Sequence, residues 1–76
     1  MNDFASLDQI RRAFFERVET RPGRELAYED LWKDLRQSGW TIRGATPKKQ
    51  RDTVYRALST DGRIMKVRPG VFAPRT

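Results

Sequence analysis

The 76-residue sequence contains no cysteine and no histidine. Disulfide scaffolds, Cys/His zinc sites, thiol nucleophiles and Ser-His-Asp triads are therefore excluded. A cysteine-free chain suits a reducing compartment. Apolar residues make up 37%, and no run approaches the roughly 18 consecutive positions that a membrane span needs. The opening Met1-Asn2-Asp3-Phe4 has neither the basic nor the apolar region of a signal peptide. Glycine is sparse and scattered at 23, 39, 44, 62 and 70, so no phosphate cradle forms. The acids lie mostly among cations on two helix surfaces. The expectation is a cytoplasmic protein that is not an enzyme. It would have no cofactor, no metal, no membrane contact and no small-molecule substrate.

What is present is positive charge, unevenly placed. Sixteen Lys+Arg face ten Asp+Glu, a formal +6. Residues 1–38 are net −1 and residues 39–76 net +7. Scattered basicity would mean little, but segregation implies one electropositive face, the footprint of a polyanion partner. Twelve of the cations are Arg, the residue suited to bidentate contact with phosphate or guanine. A chain this short allows one domain, residues 1–76. Its eight aromatics offset the low aliphatic content, because each buries a large area.

Ser6 with Gln9 reads as a capping box, and Leu7, Ile10, Phe14 and Val18 form a helical stripe. The first helix is expected over about 6–20, with Arg11 and Arg12 on its outer face, ended by Arg21-Pro22-Gly23. A short strand is expected near 24–27. Tyr28, Leu31, Trp32 and Leu35 mark a second helix over about 27–38, with Gly39 and Trp40 closing it. Thr46-Pro47 pairs an N-cap residue with a proline at N1 and starts a third helix over 47–59. At about 100° per residue, Pro47, Gln50, Val54, Ala57 and Leu58 share its buried side. Lys48, Lys49, Asp52, Thr53 and Arg56 share its outer side. Arg51 falls on the flank, within reach of an acid such as Asp34. Two β-type runs around Arg68-Pro69-Gly70 give a hairpin over about 63–74, with a type II turn.

Helix, short strand, helix, basic helix and hairpin make a mainly α fold, a winged helix-turn-helix with a C-terminal wing. The stretch Gly39-Trp40-Thr41-Ile42-Arg43-Gly44-Ala45-Thr46-Pro47 resembles the G-x-x-x-x-G-x-T-P segment of HARE-HTH domains. The likeness continues through Thr53-Val54-Tyr55-Arg56-Ala57-Leu58 and ends at Val67-Arg68-Pro69-Gly70-Val71-Phe72-Ala73. It covers about residues 5–74. HARE-HTH domains are winged helices of bacterial restriction enzymes, RNA polymerase delta subunits and eukaryotic chromatin proteins. The resemblance implies association with nucleic acid.

Two functional readings follow. In the first, the domain binds double-stranded DNA, in transcription or on the nucleoid. The third helix enters the major groove, with Lys48 and Lys49 near phosphates and Thr53 and Arg56 near base edges. Thr46 and the N–H groups of Lys48 and Lys49 face phosphate, as do Arg43, Arg63, Lys66 and Arg68. A homodimer or a larger partner protein would add the interface area that strong specificity needs, and Phe15 and Tyr55 would mark a dimer patch if exposed. Trp40 and Tyr55 otherwise read as packing residues. In the second reading, the same surface docks on a protein such as RNA polymerase or a larger enzyme.

Overall fold

The computed structural model describes residues 3–75. Helix α1 spans Leu7–Val18, β1 Leu26–Ala27, α2 Tyr28–Gln37, α3 Pro47–Ser59, β2 Ile64–Arg68 and β3 Val71–Pro74. The architecture is a winged helix-turn-helix: three helices, and a three-stranded antiparallel sheet in the order β1-β3-β2.

Local chemistry explains most of the ends. Ser6 Oγ accepts from Gln9 N at 3.1 Å and Gln9 Oε1 accepts from Ser6 N at 2.8 Å, closing the capping box of α1. α1 stops at Val18, two residues before the expected end. There the Thr20 and Arg21 amides turn back to Arg17 O and Val18 O, and a 3-10 turn follows over Pro22–Arg24. α2 ends in a Schellman motif: Gly39, at φ +86°, donates to Arg36 O and Trp40 donates to Leu35 O. Its N-terminus has no side-chain cap. Instead the Tyr28 amide donates to Gly70 O at 3.0 Å, so the wing turn supplies the acceptor. α3 occupies the expected residues, with Thr46 Oγ1 accepting from Lys49 N.

The wing turn is Pro69-Gly70, with Gly70 at φ +77°. Proline holds φ negative, which excludes the primed turns that match hairpin twist. A β-bulge lies beside it: Lys66 opposes Phe72 and Arg68 opposes Val71, leaving Val67 as the extra residue. The bulge supplies the twist that the turn lacks. The short strand near 24–27 is present as β1, paired through Leu26↔Phe72 and Ala27↔Val71. A parallel bridge between Phe4 and Thr41 ties the N-terminal segment to the α2–α3 loop.

The core joins Ile10, Ala13, Phe14 and Val18 of α1 to Leu31 and Leu35 of α2 and to Val54, Ala57 and Leu58 of α3. Ile42, Leu26, Ile64 and Phe72 complete it. Burying a large apolar side chain contributes about 1.5–3 kcal/mol each. No charged residue among those described is buried. Three sequence expectations change. Pro47 is exposed, not buried, because α3 is bonded to α2 only one turn later, where Trp32 Nε1 donates to Gln50 Oε1 at 3.2 Å. Arg11 is not on a solvated face: Nε donates to Ala57 O at 2.7 Å and Nη2 to Thr60 Oγ1, so the guanidinium binds the C-terminal carbonyl end of α3. Arg51 pairs with Glu29 at 3.9 Å, because Asp34 faces α1 and is taken by Arg21 at 2.6 Å and Arg17 at 4.0 Å.

Candidate nucleic-acid interface

The outer side of α3 carries Lys48, Lys49, Asp52 and Arg56, all exposed, and Thr53, half-buried. Two adjoining depressions border it. One, of about 310 Å³, is lined by Arg43, Lys49, Asp52, Thr53 and Arg56. The other, of about 330 Å³, is lined by Phe4, Ala5, Ser6, Leu7, Arg43, Thr53 and Arg56. Arg43, Thr53 and Arg56 belong to both. α3 and the segment ahead of α1 are therefore the two banks of one trough, with Arg43 at its edge.

The α2–α3 loop is held tightly against α3. Thr53 Oγ1 donates to Arg43 O at 2.7 Å, with a second contact to Lys49 O at 3.2 Å. Gln50 Nε2 donates to Gly44 O at 3.3 Å. Gly44 has φ +144°, and a Cβ there would stand 2.6 Å from Gln50 N and 2.8 Å from the Lys49 carbonyl carbon. Only glycine allows that approach. On the other side of the loop, the Ala5 amide donates to Thr41 O at 2.9 Å, and the Arg43 guanidinium lies 4.8 Å from the Phe4 ring centroid. Arg43 is thus presented from a fixed backbone, with its charge stacked on an aromatic face.

Ion pairing separates the cations into two sets. Among the described residues no ion pair involves Arg43, Lys49, Arg56 or Lys66. Lys48 meets Asp52 at 3.9 Å, both side chains being well exposed, a contact worth only about 0.3–0.5 kcal/mol. Lys66 Nζ donates to Tyr55 Oη at 3.2 Å. Tyr55 stands edge-on to Tyr28 and Phe72, linking α3 to α2 and the wing. Arg63 and Arg68 are engaged within the domain. Arg68 donates to Glu25 at 2.6 Å. Arg63 forks onto Asp61 at 2.7 and 3.1 Å and covers the Phe15 ring at 5.0 Å. Those hydrogen bonds, with the Arg63 backbone N–H, hold the Asp61 carboxyl down at about 2 against an ordinary 3.8.

Of the nine residues singled out in the sequence, Arg43, Lys49, Thr53 and Arg56 line the trough. Thr46 and Lys48 lie at the start of α3. Lys66 sits against the α3 flank at Tyr55. Arg63 and Arg68 line other hollows. Two details differ from expectation. The Lys49 amide is occupied by Thr46 Oγ1, so only the Lys48 amide of that pair is free at the helix start. The Thr53 hydroxyl proton is committed to the loop carbonyl, which makes Thr53 a brace for Arg43. Phe15 and Tyr55 are both half-buried and lie in separate contacts. Among the described residues Met65 is the exposed large hydrophobic; Phe15 and Tyr55 do not make the exposed pair on which the dimer reading was conditional.

Sequence reasoning missed Phe4, which carried no periodic signal, and the cluster on the α2 flank. There Gln50 Oε1 accepts from Trp32 and from Arg36 Nη1, and the Arg36 and Arg51 guanidinium groups stand 5.8 and 5.2 Å from the Trp32 ring. No helix among the described residues is long and apolar enough to cross a membrane. No protein-family model, curated protein or solved structure matches the chain. The fold alone therefore defines the class, a winged helix-turn-helix domain.

Proposed function

We propose that the domain binds double-stranded DNA, with α3 in the major groove, Arg43 on one flanking backbone and Lys66 of the wing on the other. The observation that carries this reading is the gathering of Arg43, Lys49 and Arg56, free of ion pairs among the described residues, along the exposed side of α3. Internal pairing holds Arg63 and Arg68, so they act through the general field. A helix of about 10–12 Å diameter fits the major groove. The charge segregation and the resemblance to HARE-HTH domains support the same partner, and with it a role in transcription or on the nucleoid. Titration with duplex DNA, followed by amide chemical shifts, tests the reading. Shifts centred on residues 43–56 and Lys66 are expected.

One observation favours a protein partner as a second reading. A hollow of about 500 Å³ lies on α1, lined by Asp8, Arg12, Phe15, Glu16 and Arg63. It combines an aromatic floor with charges of both signs and takes no residue from α3. Shifts confined to that hollow on addition of a partner protein, with none on DNA, would favour docking over DNA binding.

A further inference from the structure

Resting on the DNA-binding reading above, we infer that Asp52 is a specificity-determining residue that accepts a hydrogen bond from the amino group of a cytosine in the major groove. Among the described residues Asp52 is the only carboxylate lining either depression of the trough. Its side chain is 64% exposed. Lys48 lies four residues before it, Lys49 three before and Arg56 four after, so all of them share its helix face. Yet its closest ion pair is the loose 3.9 Å contact with Lys48. The carboxylate is not consumed in the fold, unlike Asp34, Asp61 and Glu25, which are bonded at 2.6–2.7 Å.

A surface that only neutralised phosphate would gain by replacing this residue with a neutral one. A carboxylate in its midst repels the backbone and lowers affinity for every sequence. It gains where a base edge offers a donor. In the major groove the cytosine N4 amino group is the donor that Asp and Glu accept from, and Arg56 next to it suits the O6 and N7 of guanine. One helical turn separates Asp52 from Arg56, about 5.4 Å. Base pairs rise about 3.4 Å each, so the cytosine falls within two base pairs of the guanine. The repulsion and the hydrogen bond act together: Asp52 penalises sites without the cytosine and rewards those with it.

The test is selection from a random duplex library with the wild-type chain, Asp52→Ala and Asp52→Asn, followed by affinity measurement on the selected site and on unrelated duplex. Thermal unfolding of each variant checks that the fold is intact, as an exposed position leads one to expect. The wild type should enrich a cytosine within two base pairs of a guanine, with a loss of about 5- to 150-fold on replacing it. Asp52→Ala should lose that preference, keep the rest of the site, and bind unrelated duplex several-fold more tightly. Asp52→Asn should move the preference towards adenine, whose N6 and N7 suit an amide. If both variants select the wild-type site unchanged, Asp52 is only a surface partner of Lys48 and the inference is overturned. If the wild type binds no duplex at all, the underlying DNA-binding reading fails, and the inference with it.

Discussion

Gly44→Ala should cost this domain far more than a surface loop substitution normally does. The loop carbonyl at 44 accepts from Gln50, and the backbone passes so close to α3 that a Cβ would meet three backbone atoms of Lys49 and Gln50 at 2.6–3.0 Å. Backbone atoms inside a helix cannot yield as a side-chain tip can. The residue also sits at φ +144°, which alanine rarely adopts. Overpacking and backbone strain each cost about 1–3 kcal/mol, so a total of roughly 2–6 kcal/mol is expected. For a domain of this size each kcal/mol lowers Tm by about 4–8 °C, giving a fall of at least about 8 °C. Gly62→Ala is the control, since its Cβ would meet nothing within 4 Å, and it should be neutral or stabilising by about 0.4–1 kcal/mol. Thermal unfolding by circular dichroism measures both. A Gly44→Ala melt within about 3 °C of wild type, or equal losses in the two variants, would refute the close-approach reasoning. Because the same clash displaces the loop carrying Arg43, the variant should also lose DNA affinity at temperatures where it remains folded.

Three further outcomes are expected. Leu58→Ala empties a fully buried core position and should cost about 2–5 kcal/mol, against a total stability of about 4–11 kcal/mol for a chain of this length; urea unfolding measures it. Thr53→Val removes the hydroxyl that donates to Arg43 O; a net loss of about 1 kcal/mol in stability and a severalfold loss in DNA affinity should follow, and an unchanged affinity would deny Thr53 its bracing role. Asp61 titrates at about 2 in the fold against 3.8 ordinarily. A depressed carboxyl stabilises the fold above its ordinary pKa, so the contribution is complete by about pH 5 and disappears as pH falls towards 2. Asp61→Asn should remove roughly 1–2 kcal/mol at pH 7, after allowance for solvent screening, and should flatten the acid limb of the stability curve.

The helices were readable because their ends are local chemistry. Ser6 with Gln9, Thr46 with Pro47, and Gly39 with Trp40 each lie within a few residues of the groups they satisfy. What could not be read comes from distant pairing. Arg11 looks like a solvated helix charge, yet it bonds Ala57 O across 46 residues. Arg68 looks like a free wing cation until Glu25, 43 residues away, takes it. β1 was expected as a short strand near 24–27, but its pairing with β3 through Leu26↔Phe72 and Ala27↔Val71 carries no local signal. The trough itself was half visible. Lys49, Thr53 and Arg56 follow from helical spacing, whereas the bank formed by Phe4 to Leu7 depends on a bridge between Phe4 and Thr41 that no local pattern announces.

The central claim is that the cations on and beside α3 bind phosphate. The slope of log K against log salt for a duplex measures it. With Arg43, Lys48, Lys49 and Lys66 on phosphates, and about 0.9 per phosphate, the wild type should show a slope of roughly −3.6. Lys49→Ala/Arg56→Ala should keep its Tm and fall to roughly −2 to −3. A wild-type slope near zero, or an unchanged slope in the double variant, would contradict the claim.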